Sequence, residues 1–509
     1  MAPTTSSAQA FDYQVCVIGG GPAGFAAASR AVDYGLRTLM IERDRLGGAG
    51  IFQGALASKT LWHLAKDYKQ TCLQNRGYQV AKASVSFQEV VRVQRQALEE
   101  RHRQLQDQIA YFEQHLGPER FRFLQGHGSL CGPHSVRVQP AEGASQEFSA
   151  ETIVLATGSR PRKIGSLPID EKIVLTSDGL EQMDHFPESM VVLGAGVIGC
   201  EYATIFSLFG QTEVRLIDKA DRILPFEDPD ISALVGENLE AAGAVIHRES
   251  RLSSMQIEDG RVKYVLENKN GLFETHYAEK ALVSIGRVPN VEHLGCEALG
   301  IDLTDRGHFV VNDSLTNLEN VYAVGDLTAD ICLVNVGENE GRHVIEKVYG
   351  QKNAPLSYQN VSTIMFLDPE VAGVGMNETQ AQQAGTNYRV ASIDFRYINR
   401  AIAMRCGGGF IKLLATDDDE MRLLGMRAIG PQASSAIQAI ALLIQQGESV
   451  RALAELVHPH PSIVEGVQEC VRMLLGNSIL KPEIFPEGLR CCAVRQGKSS
   501  SLFRVSGVA

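Results

Sequence analysis

The stretch YQVCVIGGGPAGFAAASRAVDYGLRTLMIE, Tyr13 to Glu42, leaves the chain little choice of how to begin. Its apolar run Val15 to Ile18 is too short for a buried helix and is cut off by glycine, so it reads as a buried parallel strand. Gly19, Gly21 and Gly24 complete G-x-G-x-x-G, followed by an alanine-rich helix and a second strand, Thr38 to Ile41. Each glycine has a physical task. The first makes a tight turn, the second lets backbone approach a pyrophosphate, and the third lets helix and strand pack closely. The helix N-terminus presents N–H groups and the positive end of its dipole to phosphates. Glu42 follows Gly24 by eighteen residues, where a carboxylate takes a ribose hydroxyl pair. Strand, glycines, helix and acid together predict a dinucleotide site.

The pattern returns from Met190. Val191 to Leu193 reads as a strand, Gly194, Gly196 and Gly199 repeat the fingerprint, and a helix and the strand Val214 to Ile217 follow. Asp218 closes this unit nineteen residues after Gly199. Two units imply two dinucleotides, and a flavin with a nicotinamide nucleotide is the economical pair, because hydride transfer needs stacked donor and acceptor rings. Asp218 favours NAD(H), since it repels a 2′-phosphate. Lys219 and Arg222 stand close enough to keep NADP(H) open. A third glycine-acid signal is VYAVGD, Val321 to Asp326, with its aspartate at the end of a strand.

At 509 residues the chain has room for about three domains. Its net charge of −12 argues against nucleic acid or an anionic membrane as main partner. No run of eighteen apolar residues predicts a membrane span, and MAPTTSSAQA lacks the basic and apolar regions of a signal peptide. Ten cysteines, mostly scattered singly, suit a reducing cytoplasm rather than a disulfide framework. Ser58 to Tyr68 reads as a helix with Lys59 in its first turn, where it opposes the dipole and hints at a specific partner. Ser86 and Glu89 form a capping box for a long amphipathic helix. The last third reads as short strands and a helix over 433–446, and beyond Asn477 as a flexible tail holding the vicinal pair Cys491–Cys492.

The ordered motifs GGGPAG, Leu46–Gly48, Ser58–Lys59, ATGSRP, GAGVIGCEYA, GRVPN, VYAVGD, DPEVAGVG and HPHPSIVE lie within a stretch from about Phe11 to Gly476. Across them the chain resembles the two-dinucleotide flavoproteins: dihydrolipoamide dehydrogenase, glutathione reductase, mercuric reductase and the soluble pyridine nucleotide transhydrogenase. The resemblance implies an α/β fold of two Rossmann-like domains and a C-terminal α+β dimerisation domain. The implied boundaries are 1–165 with 296–353 for FAD, 166–295 for NAD(P), 354–476 for the interface and 477–509 for the tail. It implies FAD on Gly19, Gly21, Gly24, Glu42, Gly48, Gly158 and Asp326, and NAD(P)H on Gly194, Gly196, Gly199, Asp218 and Gly286. It sets Lys59 against Glu201 beside the flavin's reactive nitrogen, and implies a homodimer in which His460 and Glu465 serve the partner's site. No metal is expected, and His458 reads as a packing histidine.

One departure matters. The family carries its redox disulfide in GG-x-C-x4-C-x2-SK, whereas GGAGIFQGALASK places Gly50 and Ala55 at both cysteine positions and Ala57 where proline is usual. Neither residue can hold electrons or attack a disulfide. Hydride arriving from NAD(P)H then leaves the flavin directly, to another nicotinamide, a quinone or a dye. His460 and Glu465 then either protonate a quinone or are a structural remnant. Two other readings stand beside this one. Cys491 and Cys492, with thiolates favoured by Arg490 and Arg495, serve as a relay or soft-metal site as in mercuric reductase, or the chain binds nucleotides without turning over.

Overall fold

The computed structural model describes residues 11–502 apart from 74, 75, 79, 81, 82, 330, 351 and 353. The first ten residues, where no signal peptide is expected, lie outside the described residues, as do 503–509. The apolar run at the start forms the strand Tyr13–Ile18, flanked in parallel by Thr38–Glu42 and Gln146–Leu155. Phe121–Gln125 and Val321–Ala323 extend the parallel sheet on either side. His127–Gly132 and Ser135–Gln139 add an antiparallel flap through the first half of Gln146–Leu155. The helix Pro22–Asp33 buries a face of small residues, Ala23, Gly24, Ala27, Ala28 and Ala31. Small residues let a second helix, Val334–Tyr349, lie almost against it, since a Cβ on Gly341 would stand 2.1 Å from the Ala23 carbonyl oxygen.

A second parallel sheet runs Val245–His247, Glu213–Ile217, Ser189–Leu193, Lys280–Val283, Val174–Leu175. The antiparallel strands Arg251–Glu258, Arg261–Glu267 and Phe273–Ala278 form a separate sheet that buries Tyr264 and Val262 with Val191 and Ile217 of the parallel one. The chain leaves the first unit through Ser159–Pro161 and returns through Arg287–Pro289, and these two crossings pair as an antiparallel ribbon. The third unit is an antiparallel sheet from Ser362–Met365 through Val371–Gly375, Leu423–Ile429 and Phe410–Thr416 to Tyr388–Asp394. Among the described residues no helix is long and apolar enough to cross a membrane.

Buried charge fastens the second unit to the third. Lys412, 1% exposed, reaches Asp228 and Asp230 at 2.7 Å and Glu378 at 3.1 Å, and Arg427 holds Glu227 at 3.0 Å. Asp228 also accepts hydrogen bonds from the backbone N–H groups of Glu378 and Thr379. Burial would raise the Asp228 carboxyl, but Lys412 and these donors outweigh it and hold it below the usual carboxylate range.

Two local expectations need correction. The helix carrying Lys59 runs Ala55–Cys72, so Lys59 sits at its fifth residue, past the first turn where the dipole conflict was placed. The tail expected to be flexible is instead folded over its described residues, up to 502. Leu489–Arg495 pairs antiparallel with Tyr388–Asp394 and turns into Lys498–Ser501, completing a seven-stranded sheet. The reason is local: LRCCAVR alternates buried Leu489, Cys491 and Ala493 with exposed Arg490, and its backbone satisfies an otherwise open sheet edge. Leu489→Ala, at a side chain 3% exposed, should therefore cost about 2–4 kcal/mol, read as a lowered urea midpoint; a loose tail would show no shift.

Candidate functional site

A cavity of about 1490 Å³ lies where the three units meet, and its wall includes Gly19, Gly21, Glu42, Lys59, Glu201 and Asp326. The glycine loop has the geometry that a pyrophosphate requires. Gly19 has φ +114°, and a Cβ there would lie 2.3 Å from the Ala156 carbonyl oxygen; a Cβ on Gly24 would lie 1.9 Å from that of Gly19. At Gly21 a Cβ would meet nothing within 4 Å, so this face of the loop is open to the cavity. Glu42 accepts from the backbone N–H of Gly20 at 2.5 Å and of Asp44 at 2.6 Å. Burial raises its carboxyl above the usual range, against those two donors. Gly48 and Gly158, with φ +49° and +68°, also line the cavity. An open loop, a helix N-terminus and a tethered acid fit the phosphates and ribose of FAD.

The second fingerprint repeats this plan. Gly194 has φ +100°, a Cβ on Gly199 would stand 2.0 Å from the Gly194 carbonyl oxygen, and one on Gly196 would meet nothing. Asp218 accepts from the N–H of Ala195 at 2.7 Å and of Ala220 at 2.8 Å, as Glu42 does in the first unit. Gly286, φ +101°, precedes the returning strand of the ribbon. Gly194, Gly196, Gly199, Asp218 and Gly286 are not part of the cavity wall, which the second unit's fingerprint helix enters through Val197, Ile198, Glu201 and Tyr202.

At the junction Glu201, its side chain 5% exposed, accepts from Lys59 Nζ at 2.8 Å and from the Phe366 backbone N–H at 3.0 Å. Phe366 lines the cavity, 5.0 Å below the Lys59 ammonium, and packs edge-on against Trp62. Asp326, at the end of VYAVGD, accepts from Ser159 Oγ at 2.6 Å. Ser159, Arg287, Tyr202 and Phe366 join the wall without being expected there. Ser159, Arg287 and Tyr202 lie inside ATGSRP, GRVPN and GAGVIGCEYA, whereas nothing local to Phe366 signals its place.

His460 and Glu465 come together but stand apart from the cavity. Glu465 Oε1 lies 2.7 Å from His460 Nδ1, Oε2 accepts from the Ser462 N–H at 2.9 Å, and the imidazole is 65% exposed. Burial would raise the Glu465 carboxyl, but His460 and the Ser462 donor hold it below the usual range. His458 has its Nε2 buried, and burial lowers its pKa. No cluster of three or more metal-ligating side chains occurs among the described residues.

The thiol positions are differently built. Gly50 lines the cavity, and a Cβ there would lie 2.6 Å from Pro22 Cγ, so a larger side chain must displace the first residue of the fingerprint helix. Ala55 also lines it. Cys332 is the single cysteine on the wall among the described residues, and one sulfur cannot run a dithiol–disulfide cycle. Cys491 and Cys492 are unbridged. Cys491 is 3% exposed, and burial pushes its thiol up to about 12. Arg490 and Arg495, expected to favour thiolates, instead pair with Glu378 and Asp417. Adjacent strand residues also point to opposite faces, which corrects the reading of these two as a reactive pair.

Residues 13–348 match the pyridine nucleotide-disulphide oxidoreductase model, and 361–471 match the dimerisation domain of the same family. The chain belongs to the pyridine nucleotide-disulphide oxidoreductases. It is 32% identical to dihydrolipoyl dehydrogenase of Bacillus subtilis over 482 residues, covering 92% of this chain and 99% of that one. Leghemoglobin reductase of Glycine max is 30% identical, with 90% and 87% covered. Among solved structures, LpdA from Mycobacterium tuberculosis superposes with a TM-score of 0.82 at 26% identity, covering 91% of this chain and 99% of that one. The protein is thus an FAD-dependent pyridine nucleotide oxidoreductase of the lipoamide dehydrogenase type, using FAD and NAD(H).

Restoring the two cysteines should not restore a disulfide enzyme. Gly50→Cys with Ala55→Cys is expected to loosen FAD, seen as flavin lost on gel filtration, and to give no lipoamide turnover, because Pro22 must move.

Proposed function

We propose that the protein carries hydride from a nicotinamide nucleotide through its flavin directly to a small acceptor (a second nicotinamide, a quinone or a dye) with no internal disulfide. The observation that carries this reading is Gly50, whose Cβ space is taken by Pro22 on the cavity wall. Bound FAD supplies a carrier that accepts two electrons and passes them on. In this reading Gly19, Gly21, Gly24, Glu42, Gly48, Gly158 and Asp326 bind FAD, and Gly194, Gly196, Gly199, Asp218 and Gly286 bind the nicotinamide nucleotide. Lys59 and Glu201 orient the reacting rings, the ammonium held in place by the buried Glu201 carboxylate.

Asp218 selects NADH. Arg222 donates to the carbonyls of Pro225 and Glu227, so it is turned away from a 2′-phosphate, and only exposed Lys219 is left to attract one. The dimerisation domain supports a homodimer, in which His460 and Glu465 protonate an acceptor at the partner's cavity. Quinone reduction consumes one proton per NADH, whereas transhydrogenation consumes none. A cytoplasmic location is consistent with the cysteine usage.

Anaerobic stopped-flow reduction tests the scheme. NADH should bleach the flavin faster than NADPH by about tenfold or more, and Asp218→Ala should narrow that ratio. Thio-NAD or a benzoquinone should reoxidise the flavin, while lipoamide and mercuric ion should not. Rapid reoxidation by lipoamide overturns the direct route, and failure of NADH to bleach the flavin leaves a nucleotide-binding protein without turnover.

A further inference from the structure

We propose that Ser159 is a positioning residue for Asp326, and that Arg287 holds it in that role. The ribbon joining the two nucleotide units thereby sets the carboxylate on which FAD rests. This builds on the reading of Asp326 as an FAD contact.

The geometry comes from the two chain crossings. Ser159 opens the strand by which the chain leaves the first unit, and Arg287 opens the strand by which it returns, with Ser159 opposite Pro289 and Arg287 opposite Pro161. Arg287 Nε donates to Ser159 Oγ at 2.7 Å, and Nη2 donates to the Ser159 carbonyl at 2.6 Å. Ser159 Oγ lies 2.6 Å from Asp326 Oδ2. A serine hydroxyl has one proton. Because Arg287 occupies its acceptor side, that proton is committed to Asp326, and a guanidinium behind the hydroxyl strengthens the bond it gives.

All three side chains lie on the cavity wall, and the ribbon around them is stiff. Thr157 Oγ1 donates to the Asn290 carbonyl at 2.6 Å, Asn290 Nδ2 returns a bond to the Thr157 carbonyl at 2.8 Å, and Arg160 bonds Pro289 and Glu292. Arg287 also faces Asp178 of the second unit, which lines the same cavity and whose carboxyl burial raises despite that cation. Arg287 therefore bears on a carboxylate of each nucleotide unit, on Asp326 through Ser159 and on Asp178 by its charge.

The test compares Ser159→Ala, Ser159→Thr, Arg287→Met and Asp326→Asn by FAD titration of apoprotein and by the flavin midpoint potential. Ser159→Ala and Arg287→Met should weaken FAD by about tenfold, the worth of one hydrogen bond to a charged group, and shift the potential in the same direction. Ser159→Thr, which keeps the hydroxyl, should restore both. Apoprotein melting temperatures should be equal across the set. If Asp326→Asn weakens FAD but Ser159→Ala matches Ser159→Thr in affinity and potential, the positioning role is wrong. If Asp326→Asn leaves FAD affinity unchanged, the carboxylate is not an FAD contact and the proposal falls with it.

Discussion

The site depends on one buried carboxylate. Glu201 belongs to the helix Val197–Phe209 of the second unit, takes its counter-ion from Lys59 on Ala55–Cys72 of the first, and receives its backbone donor from Phe366 of the third. A carboxylate so withdrawn from water is stable only with its partners, and removing one leaves an uncompensated charge. Three units that could pack in many relative poses are therefore held to one in which cation, carboxylate and the ring of Phe366 share a wall. The clamp of Lys412 and Arg427 repeats the principle between the second and third units, at a distance from the chemistry.

The two fingerprints were legible because their physics is local. A turn at Gly19 or Gly194, an open approach at Gly21 or Gly196 and a helix seated on Gly24 or Gly199 follow from spacing within a few residues. Lys59 opposite Glu201 was also anticipated, through motif resemblance and a suspicion of helix-dipole conflict, although the helix starts three residues earlier and that conflict is weaker than supposed. The rest of the site was not legible, because its contacts join residues far apart in sequence with no periodic trace. Phe366 meets Glu201 across 165 positions, and Arg287 meets Ser159 across 128. The C-terminal hairpin is a different failure. Its alternation was present in LRCCAVR, but proline, serine and basic residues around it suggested a solvated tail, and the vicinal cysteines drew attention to reactivity rather than to strand pairing.

Loss of two thiols looks like simple subtraction in the sequence, but the packing says otherwise. Where the family pattern has a cysteine, Gly50 admits Pro22 into the volume a side chain would fill, beside Val334 of the helix packed on the fingerprint. A side chain at this position would have to share that volume with the Pro22 ring.

A protein that moves hydride between two nucleotides must hold both sites in register while each binds a large flexible ligand. Two chain crossings are the least covalent connection that an inserted domain allows, and here they are paired strand to strand. Pairing alone fixes the ribbon's backbone but not what it says to either site. The polar chain from Arg287 through Ser159 to Asp326 supplies that: it ends on an acid on the cavity wall and begins on a cation whose charge acts on Asp178 of the second unit. A hydroxyl with a single proton is a directional link, so the order of donors from cation to carboxylate follows from chemistry and admits no reversal.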